Sequence, residues 1–307
     1  MQTAYISHPA CLLHDMGRSH PECPARIKAI EDQLIASHIF GFLQHHDAPR
    51  ATREQLERVH SPAYIDAIEA AVPAEGLAMV DPDTWMNPHS WEAALRAAGA
   101  LVLGTELVMQ GMAENAFCNV RPPGHHATRN QSMGFCLFNN VAVGVVHALE
   151  HHGLERVAIV DFDVHHGNGT EDIFRHDPRV MLCSSFQHPF YPHCGADTVS
   201  DRIIPAPLPA YTDGAGFRAA VTEKFLPALD RFKPQMVFIS AGFDAHREDD
   251  MASLKLVEAD YAWVTQEIKK IAAAHAGNRI VSALEGGYEL HALGRSATAH
   301  IKVLCDM

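Results

Sequence analysis

Three short apolar runs limit what this chain can fold into. They are Val157-Ala158-Ile159-Val160, Met236-Val237-Phe238-Ile239 and Ile280-Val281-Ser282-Ala283-Leu284. None shows the alternation of a half-solvated strand. Each therefore reads as a strand covered on both faces, as in a parallel sheet. Parallel strands need long crossovers, and helical patterns near Phe217 to Phe232 and Tyr261 to Ala274 supply them. Further helices are predicted over Pro24 to Ser37, Pro88 to Gln110 and Gly134 to His151, with another starting at Ser61-Pro62. The expected fold class is α/β. No composition break divides the chain, so residues 1–307 are expected to form one domain.

The residues just past each run point to chemistry. After the first come Asp161, Asp163 and His165, then His166-Gly167-Asn168-Gly169. After the second comes Ser240-Ala241-Gly242-Phe243-Asp244, and after the third Glu285-Gly286-Gly287-Tyr288. In open α/β sheets ligands bind beyond the carboxyl ends of strands, so these three loops are expected to share one site. Alternate residues of an extended backbone face the same way, which aims Asp161, Asp163 and His165 at one small volume. Two carboxylates and an imidazole suit a zinc ion with open positions for water and substrate. Asp163, His165 and Asp244 are the expected ligands. The competing reading is a helix-capping loop with a solvated Asp and two surface histidines.

A second polar cluster is Arg121-Pro122-Pro123-Gly124-His125-His126-Ala127. Its prolines stiffen the loop, and adjacent histidines there suit general acid/base work beside a metal. A histidine base needs a partner on its other ring nitrogen. Asp161 is expected to orient His125, and Asn168 to orient His126. An amide supports an imidazolium less than a carboxylate does, so the two should differ in basicity. Tyr288, after two glycines, is placed to donate to a developing oxyanion. Phe135 and Tyr191 are candidate entrance residues. His151-His152-Gly153 reads as the end of a helix, His45-His46 as an exposed turn, and Arg247-Glu248-Asp249-Asp250 as a solvated loop.

Composition removes several functions. The formal charge of -13 opposes binding to nucleic acid or anionic lipid. No apolar run is long enough to span a bilayer, and no signal peptide is visible. Seven cysteines without a C-x-x-C pair suit reduced thiols in a cytoplasm. There is no P-loop, no dinucleotide fingerprint and no G-x-S-x-G elbow.

Taken in order, the motifs His20-Pro21-Glu22-Cys23-Pro24-Ala25-Arg26, Arg-Pro-Pro-Gly-His-His-Ala, Gly134-Phe135-Cys136-Leu137-Phe138-Asn139-Asn140, Asp-Phe-Asp-Val-His-His-Gly-Asn-Gly, Ala241-Gly242-Phe243-Asp244 and Glu285-Gly286-Gly287-Tyr288 cover nearly the whole chain. Together they resemble the zinc-dependent histone deacetylase family, which includes acetylpolyamine amidohydrolases and acetoin-utilisation proteins. The resemblance implies the arginase–deacetylase fold, a central, mainly parallel sheet flanked by helices on both faces. It also implies hydrolysis of an acylated lysine or similar amine. In that scheme zinc and Tyr288 polarise the acyl carbonyl, His126 is the base and then the acid, and His125 gives electrostatic help. Phe135 and Tyr191 match the walls of a substrate tunnel, with Gly134, Gly286 and Met251 beside them. Asn168 places the chain with class II-type members.

A structural potassium near Asp161, Asp163, His165 and Ser184 is implied too, as is an internal product channel at Arg26. Met251 stands where polyamine-selective relatives carry an acid, which favours a neutral acyl amide, although Asp250 is one residue away. An arginase-like dimanganese enzyme would need more carboxylates in the first loop. A non-catalytic acyl binder would be expected to have lost His126 or Tyr288. The resemblance neither requires nor excludes a homo-oligomer.

Overall fold

The computed structural model describes residues 2–307. Eight strands form one sheet: β1 (Ala4–Ser7), β2 (Gln44–Asp47), β5 (Asn115–Cys118), β6 (Val157–Asp161), β7 (Val180–Gln187), β8 (Ile203–Leu208), β9 (Met236–Ala241) and β10 (Ile280–Leu284). A small antiparallel hairpin, β3 (Ala78–Asp81) and β4 (Thr84–Met86), stands apart. The order across the large sheet is β2-β1-β5-β10-β9-β6-β7-β8, and every pairing in it is parallel. The three predicted runs are thus three adjacent strands. Leu284 is in register with Ala241, and Ser240 with Asp161, so their carboxyl ends lie side by side.

The strands are apolar on both faces because both are covered. Val157 and Ile159 point into one core with helices α3 (Pro62–Ala70), α4 (Ser90–Met109) and α5 (Asn140–Glu150). Ala158 and Val160 point into the other, with α1 (Ala25–Ala36), α9 (Glu258–His275) and α10 (Leu290–Leu304). Short helices α2 (Arg53–Glu57), α6 (Asn168–Phe174), α7 (Gly214–Ala220) and α8 (Leu226–Phe232) complete the layers. A wide π turn at Val221–Phe225 joins α7 to α8. Pro227 comes just after it, and a proline ring needs room in the preceding turn.

Two expectations need correction. The helix expected from Gly134 starts only at Asn140, where the Asn139 side chain caps it by accepting from Ala142 N at 3.0 Å. Gly134 and Phe135 have φ of +56° and +69°, which no helix accepts. Their apolar neighbours are buried as a loop. His45-His46 is not a turn but part of β2, an edge strand with alternating exposure.

Beneath the three strand ends lies His300, fully buried on α10. Its Nδ1 is 2.6 Å from Thr265 Oγ1 and its Nε2 is 2.9 Å from Ser282 Oγ. Phe117, Phe162 and Phe243 surround the ring. Burial pushes its pKa down to about 3. A histidine with a depressed folded-state pKa binds its proton more readily when unfolded. It therefore removes stability as pH falls from ~6.5 towards that lowered value. The slope of unfolding free energy against pH between 4 and 6 should be about 1.4 kcal/mol per unit shallower in His300→Asn than in the parent chain. Equal slopes in pH-dependent denaturant melts would contradict this.

Candidate active site

β6 ends at Asp161, and the chain bends from Asp163 to His165. Asp163 Oδ1 lies 3.0 Å from His165 Nδ1, and Asp244 Oδ2 lies 3.2 Å from the same nitrogen. Donor atoms of the three residues all fall within 4.8 Å of one another. The outer oxygens are fixed by backbone: Asp163 Oδ2 accepts from Gly286 N at 2.8 Å, and Asp244 Oδ1 from Val164 N at 2.9 Å. Two inner oxygens therefore face one ring nitrogen, which can carry only one proton.

The electrostatics show the same shortage of positive charge. Burial, then the charge of Asp163, pushes Asp244 up to about 7. Burial also opposes ionisation of Asp163, but His125 and His165 outweigh it and hold its pKa below the usual carboxylate range. Burial opposes charge on His165 too, yet its bond to Asp163 and the nearby Asp244 carboxylate win and raise it to about 9. A dication can replace that proton, because two carboxylates and one neutral imidazole form a metal donor set.

The histidine pair sits beside these residues, with ring centroids 4.0 Å apart. His125 Nδ1 is 2.9 Å from Asp161 Oδ2, and His126 Nδ1 is 2.6 Å from Asn168 Oδ1. The two differ sharply in basicity. Desolvation opposes protonation of His125, but the charges of Asp163 and Asp161 raise its pKa well above normal. Desolvation lowers His126 well below normal, helped by the charges of His125 and His165, while its amide partner compensates only in part. A divalent cation nearby would oppose protonation of both rings.

A cavity of about 230 Å³ opens onto this cluster, lined by Asp83, His126, Gly134, Phe135, His165, Phe190, Tyr191, Met251 and Tyr288. The Phe135 and Tyr288 rings meet edge to face at 5.8 Å. Gly134 has no room for a side chain, since a Cβ there would strike the His126 ring. Gly286, expected beside the tunnel, packs against Asp244 and Asp163: a Cβ there would collide with Asp244 Oδ2. Arg26, assigned to a channel by resemblance, is fully buried and donates to the carbonyls of Glu285 and Gly287. Its guanidinium lies over the Tyr288 ring at 4.9 Å. Ser184 Oγ is 3.0 Å from His166 Nδ1.

Sequence reading missed several supporting residues. Glu285 Oε2 accepts from Gly124 N at 2.7 Å and His125 N at 3.1 Å, so it anchors the histidine loop from below. Phe190 stacks on His165 with centroids 5.5 Å apart. Its only sequence signal was an aromatic pair between two prolines. Asp83 Oδ1 accepts from Gly134 N at 3.0 Å. Most consequential is Asp249, expected in a solvated loop but only 5% exposed. Its Oδ2 accepts from Tyr288 N at 2.6 Å and Glu289 N at 3.0 Å, and its Oδ1 from Met251 N at 3.0 Å.

Residues 20–304 match the family model of the histone deacetylase domain. The chain belongs to the histone deacetylase family. This deacetylase is similar to Histone deacetylase 14, chloroplastic, of Arabidopsis thaliana, at 35% identity over 93% of this chain and 73% of that protein. It is 34% identical to the Histone deacetylase-like amidohydrolase of Pseudomonas aeruginosa, over 94% of this chain and 82% of that one. Polyamine deacetylase HDAC10 of Mus musculus matches 99% of this chain and 48% of its own length at 34% identity. The crystal structure of the HDA15 HD domain superposes with a TM-score of 0.93 at 34% identity, covering 99% of this chain and 88% of that one. The fold is thus the arginase–deacetylase fold expected from the sequence, and the deacetylase is a hydrolase of amides. Among the described residues no helix is long and apolar enough to cross a membrane.

Asp249 supplies a test of how the Tyr288 loop is held. Asp249→Ala should lower kcat by about 10–100-fold, the cost of misplacing a reacting group by an ångström or so. Metal content should stay unchanged, and the exposed neighbour Asp250→Ala should lose little. Steady-state kinetics giving the same small effect for both variants would contradict a positioning role.

Proposed function

We propose that this deacetylase is a zinc-dependent amidohydrolase that removes an acetyl or other acyl group from an acylated lysine side chain or a similar amine. The convergence of Asp163, His165 and Asp244 at the base of an aromatic-walled cavity, beside two oriented histidines, carries this reading. The donor set fits zinc: Asp244 Oδ2 is buried with no hydrogen-bond donor of good geometry, and it faces His165 and Asp163. When bound, the ion would supply Lewis acidity, polarising a carbonyl and acidifying water.

The chain's own groups do the rest. Asn168 Oδ1 accepts the proton of His126 Nδ1, which leaves a lone pair on Nε2. Neutral His126 takes a proton from the attacking water and returns it to the leaving amine. His125, held by Asp161, keeps positive charge near the developing oxyanion. Burial raises the Tyr288 pKa well above its ordinary value, as does the charge of Asp244, so the phenol stays protonated and donates to that oxyanion. Phe135, Tyr191 and Phe190 exclude water along the acyl stem.

A structural potassium is part of the same reading. Its support is that Ser184 and Ser240 flank Asp161 in register, with Ser240 Oγ buried and unpartnered. The whole chain is read as one catalytic domain, and seven free cysteines support a reducing, cytoplasmic setting.

An acylated polyamine is the second reading. A cavity of about 270 Å³ shares Met251 and Tyr288 with the tunnel and is lined by Glu248, Asp249, Asp250 and Glu289. Asp249 is committed to backbone donors, Glu248 pairs with Arg295 and Glu289 caps α10 by accepting from Ala292 N, which leaves Asp250 as the acid best placed to meet a cation.

Release of acetate from an acetyl-lysine peptide should require zinc and stop on chelation. His126→Ala and Tyr288→Phe should each lower kcat by about 100-fold or more with the fold intact. Activity indifferent to chelation would contradict the mechanism. Met251→Glu should raise kcat/KM on acetylated polyamine relative to acetyl-lysine peptide. An unchanged ratio would count against Met251 as a selectivity residue.

A further inference from the structure

We propose that Glu106, His147, His151 and His152 form a second metal site, which takes a divalent ion of the zinc, cobalt or nickel type. The site lies at the carboxyl ends of α4 and α5, and α5 leads directly into the amino end of β6. The candidate active site lies beyond the opposite end of that strand.

Three imidazole nitrogens converge on one oxygen. His147 Nε2 is 2.6 Å, His152 Nε2 2.8 Å and His151 Nε2 3.8 Å from Glu106 Oε1. One donor atom from each residue falls within 4.8 Å of all the others. His147 and His151 are one helical turn apart, so their rings lie on one face and stack at 4.8 Å with 13° between planes. His152 turns its ring nearly perpendicular to both. The other Glu106 oxygen, Oε2, is held by Gln110 Nε2 at 2.6 Å, which aims Oε1 at the three rings.

Hydrogen bonds alone serve this cluster poorly. A carboxylate oxygen has two lone pairs, and His147 and His152 already fill them. Protonating the stacked pair would set two cations face to face. The site nevertheless calls for positive charge, because it joins a carboxylate to the negative ends of two helices. A single divalent ion meets both demands. Three imidazoles and one carboxylate supply the four ligands of a closed tetrahedral site. The His151 side chain is 60% exposed, which opens the site to ions from solvent. His147 Nδ1 is buried without a hydrogen-bond partner, so outer support is incomplete and the ion should exchange readily. Bound there, it would tie the end of α4 to the turn that feeds β6.

Equilibrium dialysis of the untagged, full-length chain against zinc tests the proposal. The parent chain should bind one more zinc ion per molecule than His151→Gln/His152→Gln, with deacetylase activity equal in both. The single variant His151→Gln changes an exposed side chain that cannot threaten folding. It should weaken the additional ion by about ten-fold or more. Cobalt(II) titrated into the parent should give intense visible absorption of a four-coordinate site that the double variant lacks. Equal zinc stoichiometry and equal cobalt spectra for parent and variants would overturn the site, whatever the occupancy at Asp163, His165 and Asp244.

Discussion

The structure is organised around buried negative charge at three adjacent strand ends. Asp161, Asp163, Asp244 and Glu285 are each at most 1% exposed. Carboxylates so buried are tolerated only when paired or hydrogen-bonded. Here backbone N–H groups of Gly286, Val164, Gly124, His125 and Asp163 each take one carboxylate oxygen. Two imidazoles, His125 and His165, pair with Asp161 and Asp163 and add positive charge only when protonated. The inner oxygens of Asp163 and Asp244 still face one another across a single ring nitrogen. The parallel sheet creates this demand, because only in-register neighbours bring all three loops to one place.

A second buried network holds the loops from outside. Arg121 joins Glu22 through two nitrogens and also donates to the carbonyls of Cys11 and His14. Arg26 shares Glu22 Oε1 with Arg121 and grips the Glu285–Gly287 backbone. Arg121 begins the histidine loop and Gly287 precedes Tyr288, so one carboxylate, Glu22, ties the proposed base to the proposed oxyanion donor. Removing one partner of a buried pair leaves an uncompensated charge and costs about 3–5 kcal/mol, so this network sets geometry at some risk to stability.

Some of this was legible in the sequence because it obeys local rules. Continuous apolar runs marked β6, β9 and β10, and the alternation of an extended chain put Asp161, Asp163 and His165 on one side. The loop stiffened by Pro122 and Pro123 marked the histidine pair. The features that escaped were set by tertiary packing. β7 carries Ser184, Ser185 and Gln187, yet all are buried: the neighbouring strands satisfy its backbone, Ser184 bonds to His166 and Gln187 accepts from Ser253 N. The Gly134 segment has helix-like apolar content but a left-handed backbone. Asp249 and Glu285 read as loop acids because their partners, the backbone of Tyr288 and of His125, are far away in sequence. His151 and His152 read as a helix end, and only the fold brings Glu106 to them.

In the proposed mechanism one divalent ion meets the charge shortage at the strand ends. An anomalous difference map, recorded at the zinc absorption edge from crystals of the zinc-loaded enzyme, tests it most directly. A strong peak bounded by Asp163 Oδ1, His165 and Asp244 Oδ2 is expected. An active enzyme whose map holds no peak between those three side chains would contradict it.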